Sequence, residues 1–368
     1  MDLMKSIYRV NWGALILLLT LMGCKGNDVP TPEPLPEPSK EAISWHVKSD
    51  TSMQSRVLVD DNFLQTACTP NESWENESIG VWGEYKVEEN GGSSTHVEFD
   101  AIPLTFAPKE VDTNPYNDWN YPGEARYWVY KAVYDFRACY PQKLMTSLMT
   151  QMDATMFQGG PINTLTLQED ILVAATQVDR GKANLSGPVP LNMQHIFAAI
   201  KFKVKAADGF TPAPDEGVTS CWLQNKSDAK NLFSPSGYLV HSGNVEPVIT
   251  WYPYESSTAP MYSWEHRGVS FSQENELYTS NSGLKGEEYT HNDGWILIVP
   301  QTVKEGTLQL CYTLKNAGDQ VFTANIPTTE YEHGKKYTYV LGISGSETNI
   351  TLTIKPWNHL DSSYDITI

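Results

Sequence analysis

The sequence predicts a mainly β protein folded as two sandwich domains. Three observations carry this expectation. Short alternating runs recur along the chain and are broken by Gly and Pro turns. The charged fraction is a modest 19%, while Gly, Pro and Tyr are plentiful. At 368 residues the chain is long enough for two cores. Successive side chains of a strand point to opposite faces, so period-two patterning in many short segments describes stacked sheets.

The clearest element spans 195–205, His-Ile-Phe-Ala-Ala-Ile-Lys-Phe-Lys-Val-Lys. Ile196, Ala198, Ile200, Phe202 and Val204 fall on one side and Lys201, Lys203 and Lys205 on the other, as in a half-buried strand with a wet, basic outer face. It follows a loop of Gly181, Asn184, Ser186, Gly187, Pro188 and Pro190, and is expected to open the second domain. Ile171 to Ala175 reads as the last strand of the first.

From the start of the chain, Lys5 and Arg9 precede a ten-residue apolar run, Trp12 to Leu21, too short to span a bilayer comfortably. Leu21-Met22-Gly23-Cys24 resembles the end of a bacterial lipoprotein signal, which implies cleavage before Cys24 and acylation of its thiol. The alternative is an ordinary signal peptide with an incidental cysteine. Prolines at 30, 32, 34, 36 and 38 favour polyproline II, so residues 24–42 read as a lipidated tether. The segment 25–40 would reach on the order of 50 Å at ~3.1 Å per residue.

Folded sequence is expected from Ile43, with an N-terminal domain over 43–185 and a C-terminal domain over 186–368. Strands are expected at Arg56 to Val59, Ile79 to Tyr85, Val97 to Ala101 and Ala125 to Tyr140. In the last, Trp128, Tyr130, Ala132, Tyr134, Phe136 and Ala138 share one face. The period then changes. Leu144, Leu148, Met152 and Met156 recur every four residues, which predicts one amphipathic helix of about four turns ending at Gly159-Gly160-Pro161. Further strands follow at Trp295 to Val299 (apolar throughout, hence buried on both faces), Leu308 to Leu314, Tyr337 to Ile343 and Ile350 to Ile354.

Composition and motifs exclude several functions. A net charge of −18 opposes nucleic acid as a partner. The sequence has no His-Glu-x-x-His, no Cys-x-x-Cys and no Gly-rich phosphate loop. Gly342-Ile343-Ser344-Gly345-Ser346 misses a nucleophile elbow by its last residue. Asp112, Asn114, Asp118 and Asn120 alternate like calcium ligands, but Asn117 replaces the turning glycine and Gly123 the bidentate carboxylate. His195 reads as a hydrogen-bonded structural residue. No catalytic residue, metal ligand or cofactor is assigned. Besides Cys24, the even set Cys68, Cys139, Cys221 and Cys311 permits one bridge per domain, Cys68 with Cys139 and Cys221 with Cys311, or no bridge at all. Trp251, Tyr252, Tyr254 and Trp264 form the aromatic stretch best suited to ligand contact; the competing reading is that such loops tuck their rings onto the sheet.

Several stretches together resemble the fimbrillin family, the lipoprotein pilins of Bacteroides-type bacteria. They are Tyr134-Asp135-Phe136-Arg137-Ala138-Cys139-Tyr140-Pro141, Ile171 to Ala175, Pro190-Leu191-Asn192-Met193-Gln194-His195, Ile298-Val299-Pro300-Gln301, His333-Gly334-Lys335-Lys336-Tyr337-Thr338-Tyr339, and Thr348 to Lys355 followed by Trp357. The resemblance implies two transthyretin-like β-sandwich domains in tandem, and the amphipathic helix expected from the spacing falls in the first. It also implies lipoprotein export to the outer membrane surface, and proteolysis at an arginine or lysine that removes the first strand. A donor strand from another pilin subunit would then fill the groove. Arg56 stands at the expected cleavage position, and Ile43, Trp45 and Val47 alternate with Ser44, His46 and Lys48 in the part removed. At the other end Tyr364, Ile366 and Ile368 alternate with Asp365 and Thr367, as a strand that must find a sheet edge. The expected product is a non-enzymatic fimbrial subunit or pilus-associated adhesin. The alternative is a monomeric surface lipoprotein that binds a glycan or protein.

Overall fold

A computed structural model of the chain describes residues 38–49, 61–69, 78–89, 91–107, 119–181, 187–213, 215–229, 232–254, 256, 258, 261–270, 272–277, 295–315, 317–318, 320–344 and 347–356. Described structure therefore begins as a strand, Pro38–Ala42, inside the expected tether. The body is mainly β, with two helices of seven residues each among the described residues.

A seven-stranded sheet dominates the first part. Its order is Trp45–Ser49, Val189–His195, Leu172–Asp179, Val133–Tyr140, Ile79–Glu89, Gly92–Phe106, Trp119–Asn120. The first pair is parallel and the rest antiparallel. Both faces of its centre are covered, and from Tyr134 onward every residue of Val133–Tyr140 is buried. Tyr134, Phe136, Ala138 and Tyr140 pack with Ile43, Trp45, Trp128, Leu64 and Trp119, while Cys139 on the other face packs with Phe157, Ile162 and Leu239. The long alternating run expected over 125–140 is interrupted. Tyr127–Val129 pairs instead with Pro38–Ala42, and a turn with Lys131 at φ 62° leaves Tyr130 58% exposed.

The second part is a sandwich. One sheet has the order Asn275–Leu277, Ala198–Ala206, Lys335–Ser344, Glu347–Pro356, with Ile296–Ile298 also on Ala198–Ala206. The facing sheet runs Met261–Ser270, Gly217–Asn225, Leu308–Leu314, Val321–Asn325. One apolar cluster fills the space between them, including Phe202, Val204, Leu223, Leu310, Tyr312, Tyr337, Tyr339 and Leu341.

A third layer joins the parts. Met149–Met152, Met156–Gly159 and Ile162–Asn163 share a sheet with the hairpin Ser236–Ser242 and Val248–Pro253. We call it the bridging sheet. It overturns the four-turn helix: only Gln142–Leu148 is helical. Asp153 closes the turn that follows, its Oδ1 accepting hydrogen bonds from the backbone N–H groups of Thr155 and Met156 at 2.7 and 2.9 Å. A local carboxylate acceptor of this kind competes with helix continuation. Leu144, Leu148 and Met152 still face one core, so the four-residue spacing marks burial but not helix.

The stretch 195–205 is likewise two strands. Val189–His195 belongs to the seven-stranded sheet, Ala198–Ala206 to the sandwich, and the chain crosses between them at Ile196–Phe197. Its basic face is partly covered: Lys201 is 7% exposed with Nζ 4.8 Å from the Trp295 ring centre, and Lys203 pairs with Glu274 at 2.9 Å. No disulfide joins Cys68, Cys139, Cys221 and Cys311. The one-bridge-per-domain pairing fails on geometry. Cys221 stands opposite Tyr312 and Cys311 opposite Trp222, so the two thiols point to opposite faces of their sheet. Cys68 and Cys139 sit in clusters on opposite faces of the seven-stranded sheet.

Candidate assembly site

The edge of the seven-stranded sheet is closed by the first described segment. Trp45–Ser49 runs parallel to Val189–His195, with Trp45 opposite Val189 and Val47 opposite Leu191. Alternation decides what it buries: Ile43, Trp45 and Val47 are 3%, 0% and 7% exposed, whereas Lys48 is exposed. The Trp45 ring meets Phe99 and Phe136 edge-on, with centroids 5.1 and 5.3 Å away. Gly83 makes that meeting possible, because a Cβ there would lie 2.7 Å from the Phe136 ring and 3.0 Å from that of Phe99.

The segment is tied along its length. The Ile43 N–H donates to the Arg126 carbonyl and the Val189 N–H to that of Ser44, both at 2.8 Å. One Glu41 carboxylate oxygen accepts from Arg180 at 2.8 Å and the other from the Gly187 N–H at 3.1 Å. Arg180 in turn lies 4.6 Å above the Trp128 ring. Burial does most of the holding. At ~25 cal/mol per Å² and ~200 Å² or more for a tryptophan, Trp45 contributes about 5 kcal/mol, and Ile43 and Val47 about 2 kcal/mol each. The sum is on the order of 10 kcal/mol as an upper estimate, comparable to the whole net stability of a domain. The buried Trp45 Nε1–H makes no hydrogen bond among the described residues, which takes back about 1–3 kcal/mol.

A second polar cluster fastens the bridging sheet. Arg137 is fully buried; Nη1 donates to His241 Nδ1 at 2.9 Å, and Nη2 to the Gly243 carbonyl at 3.0 Å and Asn244 Oδ1 at 2.7 Å. Its guanidinium also lies 5.6 Å from the Phe157 ring centre. Burial lowers the Arg137 pKa to about 10. Burial first, and the adjacent Arg137 charge second, lower the His241 pKa to about 3, so its imidazole is neutral and accepts from Arg137. The fimbrillin-like motif over 134–141 contains Arg137 but gives no sign of its buried partners His241, Gly243 and Asn244. His195 pairs with Asp170 at 2.6 Å and is 1% exposed, as its structural reading expects. Among the described residues no group of three or more His, Cys, Asp or Glu side chains is placed to hold a metal ion.

The expected aromatic contacts separate. Trp251 turns inward, its Nε1–H donating to the Ile196 carbonyl at 2.7 Å and its ring against Phe197. Tyr252 and Tyr254 face solvent, 44% and 40% exposed. Trp264 pairs by its backbone with Cys221, and its side chain lies outside the described residues. Outside them too lie Cys24, Arg56, Tyr364, Ile366 and Ile368, and all but Asn120 of the calcium-like oxygen ligands weighed above. Sequence reasoning missed Tyr238, which stacks on Tyr252 at 4.7 Å with the planes 10° apart. The alternation of Tyr238 with Leu239 was its one local signal.

Residues 66–357 match a family model described as fimbrillin-like. Among solved structures, the chain is similar to a fimbrial protein from Bacteroides vulgatus, at 14% identity over 85% of this chain and 99% of that one, with a TM-score of 0.49. It is also similar to a putative cell adhesion protein from Bacteroides uniformis, at 16% identity over 87% and 100%, with a TM-score of 0.44. A third is a fimbrial assembly protein from Parabacteroides distasonis, at 12% identity over 76% and 91%, with a TM-score of 0.31. Among curated proteins, none matches the sequence. The family match covers well over half of the chain, and the chain belongs to the fimbrillin-like family.

Proposed function

We propose that this protein is a fimbrial subunit or pilus-associated adhesin of the outer membrane surface, exported as a lipoprotein on Cys24 and not an enzyme. In this reading it has two transthyretin-like sandwiches in tandem, the first running past the expected boundary at 185 to include Val189–His195, which pairs within its sheet. Proteolysis after Arg56 releases the segment that carries Ile43, Trp45 and Val47. An extended strand of another subunit, of the kind Tyr364, Ile366 and Ile368 form, then takes its place.

One observation carries the reading: a single short parallel strand holds an edge of the first core. Removing it without replacement forfeits on the order of 10 kcal/mol, as much as a domain has to lose. A clipped subunit is therefore stable only if the strand stays bound or another takes over its backbone pairing and pockets. Alternate side chains fix which register a replacement takes.

The test is treatment of the full chain with an arginine-specific protease. The expected result is a new N-terminus at Val57 and denaturant-resistant ladders on gels, both abolished by Arg56→Ala. A clipped product that stays monomeric, or unfolds at any concentration, rules out strand exchange. The second reading, a monomeric surface lipoprotein that binds a glycan or protein, is favoured by the exposed rings of Tyr252 and Tyr254, and predicts neither product.

A further inference from the structure

The solvent side of the bridging sheet is uncharged and rich in tyrosine. Leu239, Ile249, Trp251, Phe157 and Ile162 take the inward positions. The alternate positions, Tyr238, Val240, Thr250, Tyr252 and Gln158, therefore face outward. Tyr238 and Tyr252 are direct cross-strand partners, and Tyr254 leans on Tyr238 at 5.9 Å with 39° between the planes. Gln158 stands opposite Val240, two residues along from Tyr238, so roughly 7 Å from the stack. On a chain of net charge −18, no outward position of Ser236–Ser242, Val248–Pro253 or Met156–Gly159 carries a charge; Asp153 and Glu246 lie in the turns.

We infer that the Tyr238–Tyr252–Tyr254 face is a binding site for a neutral saccharide. A sugar presents an apolar C–H face bordered by hydroxyls, and this surface answers both. Ring faces and phenol groups come from the tyrosines, and amide and hydroxyl groups from Gln158 and Thr250 beside them. Tyrosine supplies such amphipathic contact at low entropic cost, since two torsions fix the ring. Size argues against a protein partner. Side chains of ~150–250 Å² at Tyr238, Val248, Tyr252 and Tyr254, the last three 53%, 44% and 40% exposed, offer on the order of 300 Å² together, well short of the ~800 Å² per side of a stable protein interface. The absence of positive charge argues against sialylated or sulfated sugars, which require paired cations. The inference is independent of strand exchange, because the face lies on the bridging sheet and not on the Trp45 edge.

The test presents the full chain to an array of neutral hexose and N-acetylhexosamine oligosaccharides and their sialylated and sulfated counterparts. Calorimetry on the best binder follows. The expected result is binding to a neutral oligosaccharide that Tyr252→Ala weakens about tenfold or more, and Tyr254→Ala several-fold. Tyr252→Phe, which keeps the ring if Tyr252→Ala fails to fold, retains most of it. Tyr130→Ala, at an exposed tyrosine elsewhere, leaves it unchanged. The inference is overturned if folded wild-type protein binds no neutral saccharide at millimolar concentration. Preference for the anionic counterparts, or equal binding by the Tyr254→Ala variant and wild type, overturns it as well.

Discussion

The two cores of this molecule are closed in different ways. In the sandwich that holds Phe202 and Tyr339, the central parallel pair, Ala198–Ala206 with Lys335–Ser344, also joins residues 137 positions apart (Ala199 with Lys336), but each of these strands has further ladder partners on its other side. In the seven-stranded sheet the edge is completed by five residues, Trp45–Ser49, whose pairing partners lie more than 140 positions away. Both cores are apolar and fully buried. They differ in how much stability rests on one separable piece. The lesson is that burial alone does not make a segment permanent; the number of covalent and ladder connections behind it does.

The strongest way to break this comparison is Trp45→Ala. It should cost about 4 kcal/mol, the cavity and transfer loss of a large aromatic, seen as a lower urea midpoint with an unchanged slope. Phe202→Ala should cost a similar amount. Only the first, however, should expose Cys68 to a thiol reagent under native conditions. If both variants label all cysteines equally, the two cores unfold as one unit and the distinction falls.

Next in size is the buried cation. Arg137→Ala should lose about 3 kcal/mol, because His241, Asn244 and the Gly243 carbonyl are left without their donor. Arg137→Met restores the volume and should lose less. Equal losses from the two substitutions would assign the whole effect to hydrogen bonding.

Acidification probes the same cluster. His241 has a folded pKa of about 3 against an ordinary value near 6.5, so between these values the unfolded chain binds the extra proton. Stability is therefore fully present above about pH 6.5 and is lost as pH falls towards 3. The His241 share should be about 3 kcal/mol by pH 4. Melting curves of wild type and His241→Gln at pH 7 and pH 4 measure it; parallel shifts in the two would exclude His241 as the cause.

A smaller effect is expected at the ties of the edge strand. Glu41→Gln should cost about 0.5 kcal/mol, since Glu41 is 42% exposed in its pair with Arg180. A loss comparable to that of Trp45→Ala would show that charge, not burial, holds the segment.

Much of the fold was legible in the sequence, and the residues show why. Ile79, Val81, Leu308, Leu310, Tyr337 and Tyr339 alternate with more polar neighbours, and strands obey that period wherever one side meets a core. The Ile43-Trp45-Val47 alternation was equally plain, and the strand and its burial follow from it. What local pattern cannot supply is pairing. The bridging sheet draws Met156–Gly159 and Ser236–Ser242 together across some eighty residues, and no spacing within either announces the other. The four-residue recurrence from Leu144 to Met156 misled for a related reason: a helix followed by a hairpin can present the same inward residues as one longer helix. The burial and partners of Arg137, and the stacking of Tyr238, were missed because a buried charge and a stacked ring are defined by neighbours distant in sequence.

The four sulfhydryls give the molecule a built-in clock. Burial raises the pKa values of Cys139, Cys221 and Cys311, the last to about 11, so essentially none exists as reactive thiolate at neutral pH while the protein is closed. Alkylation must then wait for each region to open. Cys68 and Cys139 report on the seven-stranded sheet, and Cys221 and Cys311 on the sandwich. Their modification times, followed by mass spectrometry, would measure separately how often each half breathes.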